Sequence, residues 1–139
     1  MGNRKLMWHG AFLFLLGLLT GLLETHFTNM RMALAAHLEG VMNGTFLIAM
    51  GAIWGEVTLP SVAKAIAYWA ALWGTYVNWL TTTFAAIWGT AVDNPTLSAG
   101  QHGLPWQEQL AGIGFLSITL AIVAASVLIV WGLRSAKPQ

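Results

Sequence analysis

The chain has 139 residues, a net charge of +1 and no cysteine; 57% of it is hydrophobic and only 8% is charged. A soluble domain carries about 25% charged residues, and a chain this small has the most surface to cover for its volume. A water-soluble fold is therefore excluded, as are a disordered chain, a coiled coil and a basic nucleic-acid binder, and without cysteine there is no disulfide framework, thiolate metal site or cysteine nucleophile.

A helix that crosses ~30 Å of hydrocarbon needs ~20 mostly apolar residues, and four stretches qualify. The first runs from about Leu6 to Leu23. Its apolar run of ~18 residues exceeds the 7–15 of a signal-peptide core, and no A-x-A-like site follows it, so it reads as a retained helix. The second runs from about Met32 to Gly55 and contains His37, Glu39 and Asn43. The third, about Val62 to Trp88, carries Asn78 and several threonines. The fourth, about Gln109 to Trp131, has no charge. The expectation is an all-α integral membrane protein, a bundle of four transmembrane helices in one domain. Arg4, Lys5, Lys64, Arg134 and Lys137 fall on one side and Arg31 alone on the other, so the positive-inside rule places both termini in the cytoplasm. Trp8, Trp54, Trp88 and Trp131 sit near helix ends, where indoles anchor at the interface. Trp73 and Trp79 do not, and must face lipid, another helix or a ligand. The long connection from Gly89 to Glu108 holds two turn signals, at Asp93-Asn94-Pro95 and Gly103-Leu104-Pro105, and is expected to cap the outer end.

Ionisable groups inside a membrane are costly, which makes each one a candidate functional group. The second helix holds the densest set. At about 100° per residue, Glu39 and Asn43 share one face, whereas His37 lies ~120° from Asn43 and ~160° from Glu39 and falls in a stripe with Val41, Gly44 and Ile48. Polar groups on two faces imply two protein surfaces around this helix. On the third helix, Tyr68, Ala71, Thr75, Asn78 and Thr82 make one interior-facing seam. Asn and Thr at such positions also serve as interhelical glue. At ~1.5 Å per residue, His37 lies ~8 Å below the outer end of its helix. Gly17 and Gly21, Gly40 and Gly44, and Gly51 and Gly55 are spaced for close helix approach. Gly40 and Gly44 also flank the polar cluster, where missing side chains would make room for a large flat ligand. A lone imidazole at depth coordinates one face of a group that brings its own remaining ligands, as haem does.

Trp8-His9-Gly10, Leu16-Gly17-Leu18-Leu19-Thr20-Gly21, the run from Ala36 to Phe46, Gly74-Thr75-Tyr76 with Asn78-Trp79, and Pro105-Trp106-Gln107-Glu108 together give the chain its likeness to a known family. The sequence resembles the hydroxylaminobenzene mutases, small bacterial membrane enzymes of nitroarene metabolism. That resemblance implies an isomerase of the bacterial inner membrane that turns a small aromatic hydroxylamine, hydroxylaminobenzene, into 2-aminophenol. A more distant likeness is to styrene oxide isomerase, through a His followed after five residues by Asn-Gly, matched here by His37, Asn43 and Gly44. It implies haem b with His37 as the single axial ligand of its iron, Asn43 as an active-site hydrogen-bonding group, and a homotrimer with haem between protomers. The Asp and Tyr which that family has on its third helix correspond here to Gly74 and Thr82, so those roles do not transfer; Tyr76 and Asn78 are the nearest substitutes. Ferric haem would act as a Lewis acid on the N-hydroxyl oxygen, Gly40 and Gly44 would admit the ring, and Glu39 would shuttle a proton. Four helices leave part of the polar surface of the second helix unburied, which points independently to a homo-oligomer, with a trimer favoured. The competing reading is a small proton-coupled exporter of aromatic cations. A haem-bearing electron-transfer subunit is a third, disfavoured because only His37 is well placed as a ligand.

Overall fold

The computed structural model describes residues 1–90, 93–98 and 100–134; Lys137, counted above among the cytoplasmic cations, lies outside them. The fold is all-α. Helices α1 (Arg4–Leu23), α2 (Met30–Ile53), α3 (Ser61–Trp88) and α4 (Pro105–Arg134) follow in order, with a short 3₁₀ turn at Glu24–His26 between α1 and α2. Three helices, α1 with its 3₁₀ turn, α2 and α4, are long and apolar enough to cross a membrane. Helix α3 is longer than α1 or α2 and carries a larger share of tryptophan, tyrosine and threonine, which lowers its hydropathy.

Most helix starts lie slightly outside the apolar stretches, because a first turn is set by its cap and not by hydropathy. Asn3 accepts from the backbone N–H of Lys5 and Leu6, and Asn29 accepts from those of Arg31 and Met32. Helix α4 begins on Pro105, the favoured residue for a first helical position, with Gln107 and Glu108 side chains accepting from the N–H of Leu104 and Gly103. Helix α3 stops at Gly89, whose φ of 70° is left-handed and costs a glycine nothing.

The helices pack in chain order, α1 on α2, α2 on α3 and α3 on α4, while α1 and α3 meet through a few long side chains. The α1–α2 contact is a backbone contact. A Cβ at Gly10 would stand 2.6 Å from the Gly44 oxygen, one at Gly17 2.6 Å from the Val41 nitrogen, and one at Gly51 2.9 Å from the Met7 nitrogen. These glycines leave no room for even a methyl group, and they bring the stripe of His37, Val41, Gly44 and Ile48 against α1.

The end of the bundle away from both termini is closed by Asn29, which is only 2% exposed. Its N–H donates to the Ala86 carbonyl at 3.0 Å, and its amide Nδ2 donates to the carbonyls of Leu97 at 2.7 Å and Ser98 at 3.1 Å. One side chain thus caps α2 and clamps the long connection over it. At the opposite end, Lys64 Nζ donates to the Val57 carbonyl at 2.7 Å and lies 5.5 Å from the Trp54 ring. Replacing Asn29 by Ala removes a cap, worth about 1 kcal/mol, and strands two buried carbonyls. Asn29→Ala should therefore cost about 2–4 kcal/mol against about 1 kcal/mol for Asn3→Ala, measured by unfolding in detergent.

Candidate active site

His37 projects from α2 toward α1, half-buried, with Nδ1 2.8 Å from the carbonyl oxygen of Gly17. A carbonyl only accepts, so Nδ1 carries the proton and Nε2 of the neutral ring keeps its lone pair. A helical carbonyl already serves the N–H four residues on, and the side chain at that position leans back over it. Here that position is Gly21. A Cβ there would stand 2.5 Å from His37 Nδ1, so the missing side chain is what lets the imidazole reach the carbonyl. His37 and Gly21 line a cavity of about 530 Å³ with Leu18, Leu22, Glu24 and Leu34.

Gly40 and Gly44, expected from sequence to make room for a flat ligand, face elsewhere. Both are buried in the α1–α2 seam, where a Cβ on Gly40 would lie 2.5 Å from Gly17 Cα and one on Gly44 2.6 Å from the Gly10 oxygen. Their hydrogens are spent on helix contact, and the space beside His37 comes from Gly21.

The opposite face of α2 meets α3. Asn43 Nδ2 donates to the Thr75 carbonyl over a long 3.4 Å, and Glu39 lies beside Thr82. Thr75 and Thr82 are buried, at 0% and 1% exposure, and Asn78 is half-buried one turn before Thr82. Thr75 returns its hydroxyl to the Ala71 carbonyl at 2.7 Å. Glu39 Oε2 and Thr82 Oγ1, by contrast, are buried with no hydrogen-bond partner among the described residues. The two polar stripes read from sequence therefore do face each other, but His37 stands on the far side of α2 from them.

Trp79 binds across the helices, its indole donating to Thr20 Oγ1 at 3.0 Å and its ring against Gly40, which decides among its three expected surroundings. Trp73 is 57% exposed and donates to Ser117 Oγ at 3.4 Å. Tyr76 pairs with His9 of α1 at 3.1 Å, and His9 lies ~12 Å along α1 from Gly17. Tyr76 is thus not beside His37 within the chain. The His9–Tyr76 pair was invisible in the sequence, since nothing in local spacing links residues 67 positions apart. Among the described residues, no three His, Asp or Glu side chains converge to hold a metal ion.

Because Gly21 sets the His37 ring, Gly21→Ala should break the Nδ1 bond. In ¹⁵N-histidine spectra of the protein in lipid nanodiscs, His37 should appear as the Nδ1–H tautomer, and in Gly21→Ala it should become a tautomer mixture. Leu18→Ala, which only widens the cavity, should leave the tautomer unchanged.

The model of the styrene oxide isomerase family matches residues 2–134. The hydroxylaminobenzene mutase HabB of Ectopseudomonas oleovorans is 43% identical over 137 residues, 98% of this chain and 84% of that protein. The hydroxylaminobenzene mutase HabA of the same organism is 38% identical over 125 residues, 89% of this chain and 93% of that one. No solved structure matches the chain. With a family match that runs almost from end to end and two full-length relatives of this similarity, the chain belongs to the styrene oxide isomerase family and is a homologue of the two hydroxylaminobenzene mutases.

Proposed function

We propose that the protein is a membrane isomerase that rearranges hydroxylaminobenzene to 2-aminophenol, with a haem b whose only protein ligand is His37. The observation that carries the cofactor assignment is the Nδ1 bond of His37 to the Gly17 carbonyl. A metal-ligating histidine characteristically donates its other nitrogen to a carbonyl or carboxylate, which fixes the tautomer and orients the ring. The names of the two relatives carry the reaction. The residues present fit haem: His37 lines a cavity walled by Leu18, Leu22 and Leu34, with Glu24 beside them, and no other described histidine lines it. When bound, haem would supply an iron Lewis acid for the hydroxylamine oxygen, with His37 as the residue that holds it.

The rest falls to the chain. In the overall reaction the oxygen leaves nitrogen and joins the ortho carbon; the ortho C–H proton is lost and nitrogen gains a proton, with no net redox change. Asn43 and Asn78, which have hydrogen-bonding capacity to spare in the α2–α3 seam, orient the NHOH group. The Glu39 carboxyl, whose Oε2 is buried beside Thr82, takes up and returns the proton. The apolar walls keep water from diverting a cation on the ring. His37 and the seam lie on opposite sides of α2, so one chain does not enclose the reacting group. A second copy over the His37 cavity completes it, which supports a homo-oligomer, with a trimer favoured.

The Glu39 carboxyl would equally serve a proton-coupled exporter. A colourless protein that moves aromatic cations across vesicles without isomerising hydroxylaminobenzene would replace the present reading. Purified protein should instead show a Soret band and form 2-aminophenol without added reductant. His37→Ala should lose or strongly shift that band and lose turnover while still inserting. Asn43→Ala should keep it and slow turnover about tenfold, the loss of one orienting hydrogen bond. Substituting His9, His26 or His102 singly should leave the spectrum unchanged. An unaltered spectrum with normal turnover in His37→Ala would overturn the ligand assignment.

A further inference from the structure

A second imidazole in the chain is held as firmly as His37 and has no role in the reaction just described. His9 Nδ1 lies 3.1 Å from the Tyr76 hydroxyl oxygen, and the same hydroxyl lies 3.2 Å from the backbone carbonyl of His9. A phenol has a single proton and a carbonyl can only accept. Both contacts are hydrogen bonds in one assignment alone: Tyr76 donates to the carbonyl, and His9 Nδ1–H donates to the Tyr76 oxygen. Nε2 of the neutral His9 is then a bare acceptor. The two rings stand edge to face at 5.8 Å, and Trp8 meets the edge of His9 at 5.1 Å, so the imidazole cannot turn freely.

His9 and Tyr76 line a cavity of about 410 Å³ with Trp69, Leu72, Trp73 and Val77. It forms where α1 and α3 fail to close on each other, both being packed on α2. Its mouth faces outward from the chain, since Trp69 and Trp73 are 67% and 57% exposed. His9 stands between this chamber and a second recess that it shares with Arg4, Lys5 and Trp8; an acceptor nitrogen turned into the apolar chamber costs free energy until a donor reaches it. A lipid acyl chain would fill the space but bring no donor. A single aromatic ring with one N–H or O–H satisfies both the flat indole walls and the nitrogen.

We infer that this α1–α3 cavity is a binding site for a small aromatic molecule carrying an N–H or O–H donor, with His9 Nε2 as its acceptor and Tyr76 as the residue that positions it. The site is separate from the His37 cavity and opens toward the bilayer, where such molecules concentrate. Only the identity of its natural occupant, the arylhydroxylamine or the aminophenol, rests on the isomerase reading.

Phenol and toluene are suitable probes, alike in shape and differing in one donor. Full-length protein labelled with ¹⁵N-histidine in lipid nanodiscs should show His9 as the Nδ1–H tautomer. Phenol should shift the His9 Nε2 resonance saturably, with about five- to tenfold tighter apparent binding than toluene, the contribution of one hydrogen bond. Tyr76→Phe, which keeps the ring but removes the partner of Nδ1, should release His9 into a tautomer mixture and erase the preference for phenol, while toluene still binds. A His9→Gln protein identifies the resonance by its loss. The inference is overturned if wild-type His9 is an Nε2–H tautomer, if phenol moves the exposed His26 and His102 as much as His9, or if Tyr76→Phe keeps the full preference. The titration needs no turnover: a protein that binds phenol at His9 but forms no 2-aminophenol would sink the isomerase reading and leave this site standing, and the converse result would do the reverse.

Discussion

The backbone-to-backbone contact of α1 with α2 is the constraint on which the rest depends. Inside a membrane there is little hydrophobic force between helices, since lipid tails are as apolar as leucine, so association rests on close packing and interhelical hydrogen bonds. Gly10 and Gly17 on α1 meet Gly44 and Gly40 on α2 at distances that exclude a methyl group. The same closeness brings the Gly17 carbonyl within 2.8 Å of His37. The imidazole is thus oriented by the helix seam itself, and the small-residue spacing that reads as a packing motif also sets the state of a candidate ligand.

Helix α2 then divides the molecule. On one side it carries an imidazole and an open apolar cavity; on the other, a seam of amide, hydroxyl and carboxyl groups shared with α3. Membrane proteins place polar groups where other polar groups await them, and Thr75, Thr20 and Thr83 follow that rule by returning their hydroxyls to carbonyls of their own helix. Glu39 and Thr82 do not follow it. They lie beside each other instead, a carboxyl and a hydroxyl set together in the α2–α3 seam.

Helix α3 owes its place to its neighbours more than to its own hydropathy. Trp79 reaches Thr20 of α1, Asn43 of α2 reaches Thr75, and Trp73 reaches Ser117 of α4. These polar ties, one to each of the other helices, fix α3 among them. The clamp at Asn29 works in the same way at the end away from the termini, where two carbonyls of the long connection are satisfied by one buried amide.

The number, order and approximate length of the helices were written in the sequence, because a bilayer demands long apolar runs and tolerates few exceptions. The two faces of α2 and the seam of α3 were legible as well, since helical periodicity is local. Which glycine serves which purpose was not: Gly17, Gly21, Gly40 and Gly44 share one spacing, and only the register of α1 against α2 assigns Gly40 and Gly44 to contact and Gly21 to the imidazole. Nor could the chain by itself join His9 to Tyr76, or tell that the His37 face of α2 meets α1 while the Asn43 face meets α3. Local spacing fixes which direction a side chain leaves its helix, but what it meets there depends on the neighbouring helix, and that is set by packing between segments far apart in the chain.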